Sequence, residues 1–268
     1  MIPAAFEYSR ASSVAEAVDQ LRAAGPDAKV IAGGQSLLPM MRLRLAQPGH
    51  LVDLNGIRDL DYVTVEGGRV RIGALTRHST LVRSEALRSS LPLLAEMARE
   101  VGDPQVRTRG TIGGVMAHAD AAGDYPTLAL MLDAEIVTDR RRIPARDFFQ
   151  HLFTTALEPD ELVMEVVFPV ATGAHRYLKF RRRLFDWAIV AVGVQRLEDG
   201  WRVGITHAGP TAVRAHAVEE ALRSGATPAE AAERASDGLH PSGDVHASPE
   251  FRLHLAQVLT RRALEQAA

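Results

Sequence analysis

Apolar side chains recur at Val14, Ala17, Val18 and Leu21, one face of a helix. They follow Ser13-Val14-Ala15-Glu16, whose Ser and Glu have capping-box spacing, and Gly25-Pro26 ends the pattern. A short apolar run over 29–32 predicts a buried strand. Residues 37–45 predict a short helix that carries Arg42 and Arg44 and breaks at Pro48-Gly49. Another strand is predicted over 50–54, closed by Asn55-Gly56. Residues 62–65 and 69–72 flank Glu66-Gly67-Gly68, a hairpin signal. Helical spacing returns over 80–87 and 91–101, where Gly102-Asp103-Pro104 stops it. Residues 115–117 are a near-apolar run, and 127–132 a buried helical turn or two. Strands are predicted at 134–138 and 162–168, the second ended by Pro169. Between them Arg140-Arg141-Arg142-Ile143 leads into a loop, and 147–153 is an aromatic-rich amphipathic piece.

Turn residues cluster over 169–174 and predict a domain boundary. Beyond it, 176–181, 188–197 and 201–206 read as an antiparallel meander, with Glu198-Asp199-Gly200 as one of its turns. From Val213 the chain turns Ala-rich with helical spacing, and helices are predicted near 213–224, 228–235 and 249–266. Pro228 and Pro249 sit just inside the last two helix starts. Strands followed by helices are an α+β pattern.

The chain has 268 residues, 46% of them hydrophobic, enough for two domains with a sizeable core. A net charge of −2 gives no reason to expect a nucleic-acid or membrane surface. Cysteine is absent, which removes disulfides, thiolate metal ligands, iron–sulfur ligation and a Cys nucleophile together. The first residues lack the basic and apolar regions of a signal peptide. No apolar run approaches the roughly 20 residues of a membrane helix. A cytoplasmic protein is the default expectation.

Two glycine-rich turns carry the candidate chemistry. Gly33-Gly34-Gln35-Ser36 follows the strand of Val30, Ile31 and Ala32 and precedes the apolar run from Leu37. Glycines there let the backbone turn sharply and come close to a ligand, and successive N–H groups suit a phosphate. Ser36 offers a hydroxyl or a helix cap. Arg109-Gly110-Thr111-Ile112-Gly113-Gly114 is a second such turn, so the pair has the makings of a cradle for the two phosphates of one dinucleotide. A lone Gly-Gly after a strand is more often just a turn, and neither turn has Walker or Rossmann spacing. His118 and Asp120 lack a third ligand at metal spacing. Asp124 is placed either to meet a ribose hydroxyl or ring nitrogen or to cap the helix begun by Tyr125-Pro126. Arg181-Arg182-Arg183 reads as a phosphate clamp or a solvated charge run, and Trp187 as a stacking or a core residue.

Several blocks resemble the FAD-binding medium subunit of molybdenum hydroxylases, the carbon monoxide dehydrogenase and xanthine dehydrogenase group. They are AGGQS at 32–36, TIGG at 111–114, HADAAGDYP at 118–126, ELVMEVVFP at 161–169, YLKFRRR at 177–183, FDWAIVAVGV at 185–194 and AGPTAVRA at 208–215. The resemblance spans nearly the whole chain. It implies an α+β protein: a vanillyl-alcohol-oxidase-type (PCMH) FAD-binding domain over 1–170, made of two α/β subdomains at about 1–57 and 58–170. A small antiparallel-sheet-plus-helices domain over 175–268 follows it. It further implies that the FAD pyrophosphate lies between the turns. Cofactor contacts would come from Val30, Ile31, Ala32, Gly33, Gly34, Gln35, Ser36 and Leu37, and from Thr111, Ile112, Gly113, Gly114 and Val115. Asp124, Leu162 (through its backbone), Lys179 and Trp187 match further flavin contacts. No residue of the chain is assigned a catalytic acid–base role. Gln35 departs from the common His, Ala121 from a common Pro and Gly123 from a common Ala.

The function implied is electron transfer through FAD to an external acceptor, from two [2Fe–2S] clusters on a small partner subunit. The molybdopterin would be held by a large partner subunit, with the whole assembled as a dimer of heterotrimers. The alternatives are a stand-alone FAD oxidoreductase, against which the modest C-terminal domain argues, and a flavin-free assembly subunit, against which the intact turns argue.

Overall fold

The computed structural model describes residues 2–267. It is built on three main sheets. The first contains Glu7–Arg10 (β1), Ala28–Ile31 (β2) and His50–Asp53 (β3), with Val14–Ala24 (α1) after β1 and Leu37–Arg42 (α2) after β2. The strands are parallel in the order β1-β3-β2, with Val30 opposite Val52. Helix α1 buries Ala17, Val18 and Leu21, the predicted face. Its capping box forms only by half. Ser13 Oγ accepts the Glu16 N–H at 3.2 Å, but the Glu16 carboxylate reaches one residue further back, to the Ser12 N–H at 2.8 Å and hydroxyl at 2.6 Å.

The second body starts with the predicted hairpin, Val63–Glu66 (β4) and Arg69–Gly73 (β5). Six helices follow: His78–Arg83 (α3), Glu85–Ser90 (α4), Pro92–Glu100 (α5), Pro104–Arg109 (α6), Ile112–His118 (α7) and Asp124–Met131 (α8). The chain closes the body with Glu135–Thr138 (β6), Arg142–Pro144 (β7), Ala145–Phe148 (α9), Phe149–His151 (β8), Thr154–Thr155 (β9) and Val163–Pro169 (β10). The sheet order is β4-β5-β10-β6-β7, antiparallel throughout.

Four expectations change in this body. The helix predicted over 80–87 is two helices, because Ser84 leaves the helical conformation and accepts the Leu87 N–H at 3.3 Å as a new cap. Asp103-Pro104 ends one helix and also starts another, with Asp103 accepting the Val106 N–H at 2.8 Å. The apolar run at 115–117 lies inside α7, which Thr111 caps. Arg142 and Ile143, expected to lead into a loop, belong to β7, whose residues pair with β6.

The third body is the meander His175–Phe180 (β11), Val190–Leu197 (β12), Gly200–Thr206 (β13) and Val213–Arg214 (β14), ordered as in the chain. His216–Arg223 (α10), Pro228–Glu233 (α11) and Pro249–Gln266 (α12) complete it. Residues 213–214 were expected to begin a helix; they pair with β13, and the helix starts three residues later. Helix α12 buries Leu255, Ala256, Leu259, Ala263 and Leu264 in the same cluster as Val192, Val194, Val203 and Ile205. Each such large side chain contributes about 1.5–3 kcal/mol by leaving water.

Helix α8 joins the second body to the third. Nearly all of it is buried, so it has no polar face for solvent. Gly193 and Gly204 are cross-strand partners in β12 and β13 and lie flat beneath it. A Cβ on Gly204 would come within 2.6 Å of Thr127 Cγ2 and 3.2 Å of Met131 Sδ. The same interface contains a 2.5 Å hydrogen bond between the hydroxyls of Thr127 and Thr206. This close docking brings β11 alongside the start of α8.

Candidate functional site

Strand β2 ends in the first glycine turn, where Gly34 takes φ +72°, a conformation that favours glycine. The Gln35 side chain folds back to donate to the Gly33 carbonyl at 3.2 Å, and Ser36 makes no side-chain cap. Among the described residues, the N–H groups of Gly33, Gly34, Gln35 and Ser36 find no acceptor within the chain. The second turn differs. Ile112 N–H donates to Thr76 O at 3.1 Å, Gly113 N–H to Ala74 O at 2.9 Å and Gly114 N–H to Thr111 Oγ1 at 3.2 Å. Most of its donors are spent on its own scaffold.

The two turns touch. A Cβ on Gly33 would sit 2.5 Å from the Arg109 carbonyl oxygen and 2.7 Å from Gly110 Cα. Only glycine permits this approach, and the approach sets the free N–H groups of one turn against the edge of the other. Val30 and Ile31 lie in β2, and the Ala32 carbonyl accepts from Asn55 Nδ2 at 2.8 Å. Leu37 opens α2.

Beside the turns lies a cavity of about 200 Å³. Gln35 and Ser36 enter its wall from the first turn and Val115 from just past the second, so cradle and cavity are continuous. Asp124 and Lys179 form its floor. The Lys179 ammonium, its side chain only 2% exposed, donates to Asp124 Oδ2 at 3.1 Å and to the Glu100 carbonyl at 3.0 Å. Tyr177 donates its hydroxyl to Asp124 Oδ1 at 2.5 Å. Burial pushes the Asp124 carboxyl above its ordinary range, and the Lys179 ammonium and the two hydrogen bonds oppose that shift. Asp124 is the first residue of α8, with Gly123 at the cap position.

His78 also lines the cavity. Its Nδ1 meets the Tyr125 hydroxyl at 3.3 Å, and burial, then the cations Arg77 and Arg107, pull its pKa down to about 3. It is neutral at physiological pH. His118 is shifted down by burial as well, and its Nε2 is 4.0 Å from Asp120. Among the described residues no group of three His, Asp or Glu is placed to hold a metal.

The mouth of the cavity is the segment between β11 and β12. Trp187 stands there 54% exposed, which makes it a rim residue and not a core one, with Phe185 beside it. Arg181 is paired with Glu100 at 2.5 Å, while Arg182 and Arg183 face solvent. Leu162 is not brought to this cavity. It is buried with Leu60 and Leu75 under the first sheet, its N–H donating to Asp139 Oδ1 at 2.7 Å and its carbonyl accepting the Asp139 N–H at 3.1 Å. Val101, Gly102, Val106, His78 and Tyr177 belong to the site without having been anticipated. The Gly102-Asp103-Pro104 stop was the one clue to Gly102 and Val106; the others have no local signature.

These residues fit a flavin dinucleotide. A glycine cradle that a Cβ would close leads into a cavity with a buried cation and an aromatic rim, so fold and site define an FAD-binding oxidoreductase component with a PCMH-type domain. The chain belongs to the family of FAD-binding medium subunits of molybdenum hydroxylases, the group of carbon monoxide and xanthine dehydrogenases. Residues 4–171 match the family described as FAD binding domain in molybdopterin dehydrogenase, and 175–267 the CO dehydrogenase flavoprotein C-terminal domain.

The carbon monoxide dehydrogenase medium chain of Hydrogenophaga pseudoflava is 39% identical over 100% of this chain and 98% of its own. The nicotine 6-hydroxylase medium subunit of Paenarthrobacter nicotinovorans is 36% identical, covering 98% and 97%. Among solved structures, carbon monoxide dehydrogenase from Hydrogenophaga pseudoflava superposes with TM-score 0.95 at 40% identity, covering 100% of this chain and 98% of the other. Quinoline 2-oxidoreductase from Pseudomonas putida 86 gives 0.94 at 31%, with the same coverage. The chain is thus a flavoprotein medium subunit of an oxidoreductase of this kind. Among the described residues no helix is long and apolar enough to cross a membrane.

Proposed function

We propose that this chain holds FAD with its pyrophosphate between the two glycine turns and its isoalloxazine in the adjoining cavity, against Asp124, Lys179 and Trp187. When bound, FAD supplies the ability to accept electrons and pass them on. We further propose that they come from [2Fe–2S] clusters of a small partner subunit and leave to an external acceptor, with a molybdopterin on a large partner subunit. The assembly would be a dimer of heterotrimers in the cytoplasm. Residues 1–170, in two parts at about 1–57 and 58–170, are the FAD-binding domain of this reading, and 175–268 a second domain.

The observation that carries the proposal is the contact between Gly33 and the Arg109-Gly110 peptide at the edge of the cavity. In this reading the free N–H groups of 33–36 bind phosphate oxygens. Lys179 places a fixed positive charge in a site shielded from water, where it favours an electron-rich ring. Asp124 and Tyr177 keep that ammonium in one place. Neutral His78 adds no competing charge, and Trp187 covers the open side.

The test is an absorption spectrum of the purified full chain before and after FAD is added, beside Gly33→Val. Wild type is expected to show flavin bands at roughly 370 and 450 nm that the variant lacks, both being folded by circular dichroism. A folded wild-type chain that takes up no FAD refutes the proposal and favours a flavin-free assembly role.

A further inference from the structure

The glycine turns are tied together by side chains that no glycine motif contains. Arg77 stands at the entrance to α3. Its guanidinium donates through one Nη to the Arg109 carbonyl, the residue before Gly110, and through the other to Asn55 Oδ1. Asn55 in turn donates to the Ala32 carbonyl, the residue before Gly33, at 2.8 Å. The carbonyl preceding one turn is therefore linked to the carbonyl preceding the other through two side chains. Asp53 fixes Asn55 from below, accepting its backbone N–H at 2.8 Å and its Nδ2 at 2.5 Å.

Two arginines meet at this junction, with Asp53 and Asp61 near enough to offset part of their charge. Arg109 lies close enough to disfavour the charge on Arg77. Burial and then Arg109 lower the Arg77 pKa, with Asp61 and Asp53 opposing. Arg109 is exposed at the lip of the second turn. In that turn the N–H groups of Ile112, Gly113 and Gly114 are already engaged. Positive potential on this side must come from side chains more than from the backbone.

We infer that Arg77 is a positioning residue that selects a dinucleotide: it clasps the two turns at contact distance and, with Arg109, neutralises the diphosphate lying between them. This rests on the FAD reading above. Arg suits the task because its planar fork bonds two acceptors at once and keeps its charge when half buried.

The test is a titration of the flavin-free full chain with FAD and, separately, with riboflavin, which has the ring and no phosphate. It compares wild type, Arg77→Met, Arg77→Lys and Arg109→Met at low and high salt. Arg77→Met is expected to weaken FAD about tenfold to a hundredfold, as loss of charge-assisted hydrogen bonds does, and to leave riboflavin within about twofold. Its FAD affinity should also vary less with salt than that of wild type, since one positive charge beside the turns is gone. Arg77→Lys keeps the charge without the fork and should fall between. Arg109→Met keeps the backbone carbonyl that Arg77 holds, removes only an exposed side chain, and should weaken FAD and flatten the salt dependence while sparing riboflavin. Equal loss of FAD and riboflavin in Arg77→Met would mean general loosening and overturn the inference, as would unchanged FAD affinity in both Met variants. A wild type that binds riboflavin and not FAD would overturn it too. A wild type that binds neither flavin brings down the FAD reading itself.

Discussion

Replacing Lys179 by Met should destabilise the flavin-free chain strongly, by an amount that depends on pH. Lys179 and Asp124 are both buried, 3.1 Å apart, with side-chain exposures of 2% and 5%. Met fills much of the space left by the lysine stem, so the cavity cost is small. The main cost is a carboxylate left without its counter-ion away from water, about 3–5 kcal/mol for a buried pair. The Tyr177 hydroxyl still bonds Asp124, which places the expectation near the lower end, about 3 kcal/mol. Asp124 can escape part of the cost by taking up a proton, and burial already pushes its carboxyl up. With the ammonium gone the shift grows.

A carboxyl whose folded pKa lies above its unfolded value binds the extra proton in the folded state. It is therefore least costly near the unfolded pKa of about 3.9 and loses stability as pH rises through the folded one. The difference between Lys179→Met and wild type should accordingly be smallest near pH 4, about the unfolded pKa, and larger at pH 7. Urea unfolding at both pH values measures it. The double variant Lys179→Met/Asp124→Asn should recover about 2 kcal/mol at pH 7, because the unpaired charge is removed while the amide still reaches Tyr177. A Lys179→Met protein within about 1 kcal/mol of wild type at pH 7, or a double variant no better than the single, would show that the pair is not the isolated buried charge described here.

Three further outcomes follow from other parts of the molecule. Trp187→Ala should leave stability within about 0.5 kcal/mol, because the side chain is on the rim, and should raise the fluorescence of bound FAD by removing a stacking partner; a large fall in melting temperature would contradict the exposed placement. Gly204→Leu should cost about 1–3 kcal/mol by overpacking against Thr127, read as a lower urea midpoint with unchanged slope. His78→Asn should flatten the acid limb of stability. The His78 pKa falls from 6.5 to about 3 on folding, so wild type loses stability as pH drops through that window, at up to about 1.4 kcal/mol per pH unit. An acid limb identical in the variant would exclude His78 as its source.

Much of the architecture was legible because its causes are local. The apolar spacing of α1, the Pro-led starts of α11 and α12, and the hairpin of β4 and β5 about Gly67-Gly68 are properties of a few neighbouring residues. The glycine turns were legible for the same reason, since a residue without Cβ declares its own freedom. Errors occurred where two local signals overlap. Asp103-Pro104 ends one helix and begins another, Ser84 splits one pattern into two, and Val213 has helical spacing but a strand to pair with.

By itself, then, the sequence determined the kinds of element, their order, and two turns shaped for close approach. The tertiary structure decided that those turns meet each other, that the second spends its N–H groups on residues 74–76, and that Lys179 crosses from the third sheet to the buried carboxylate at the head of α8. It also decided that Leu162 lies away from the cavity and that Arg77 bridges the gap between the turns. The division has a physical reason. Backbone conformation is set largely by a residue and its near neighbours, whereas the partner of a buried charge is set by which surfaces pack together.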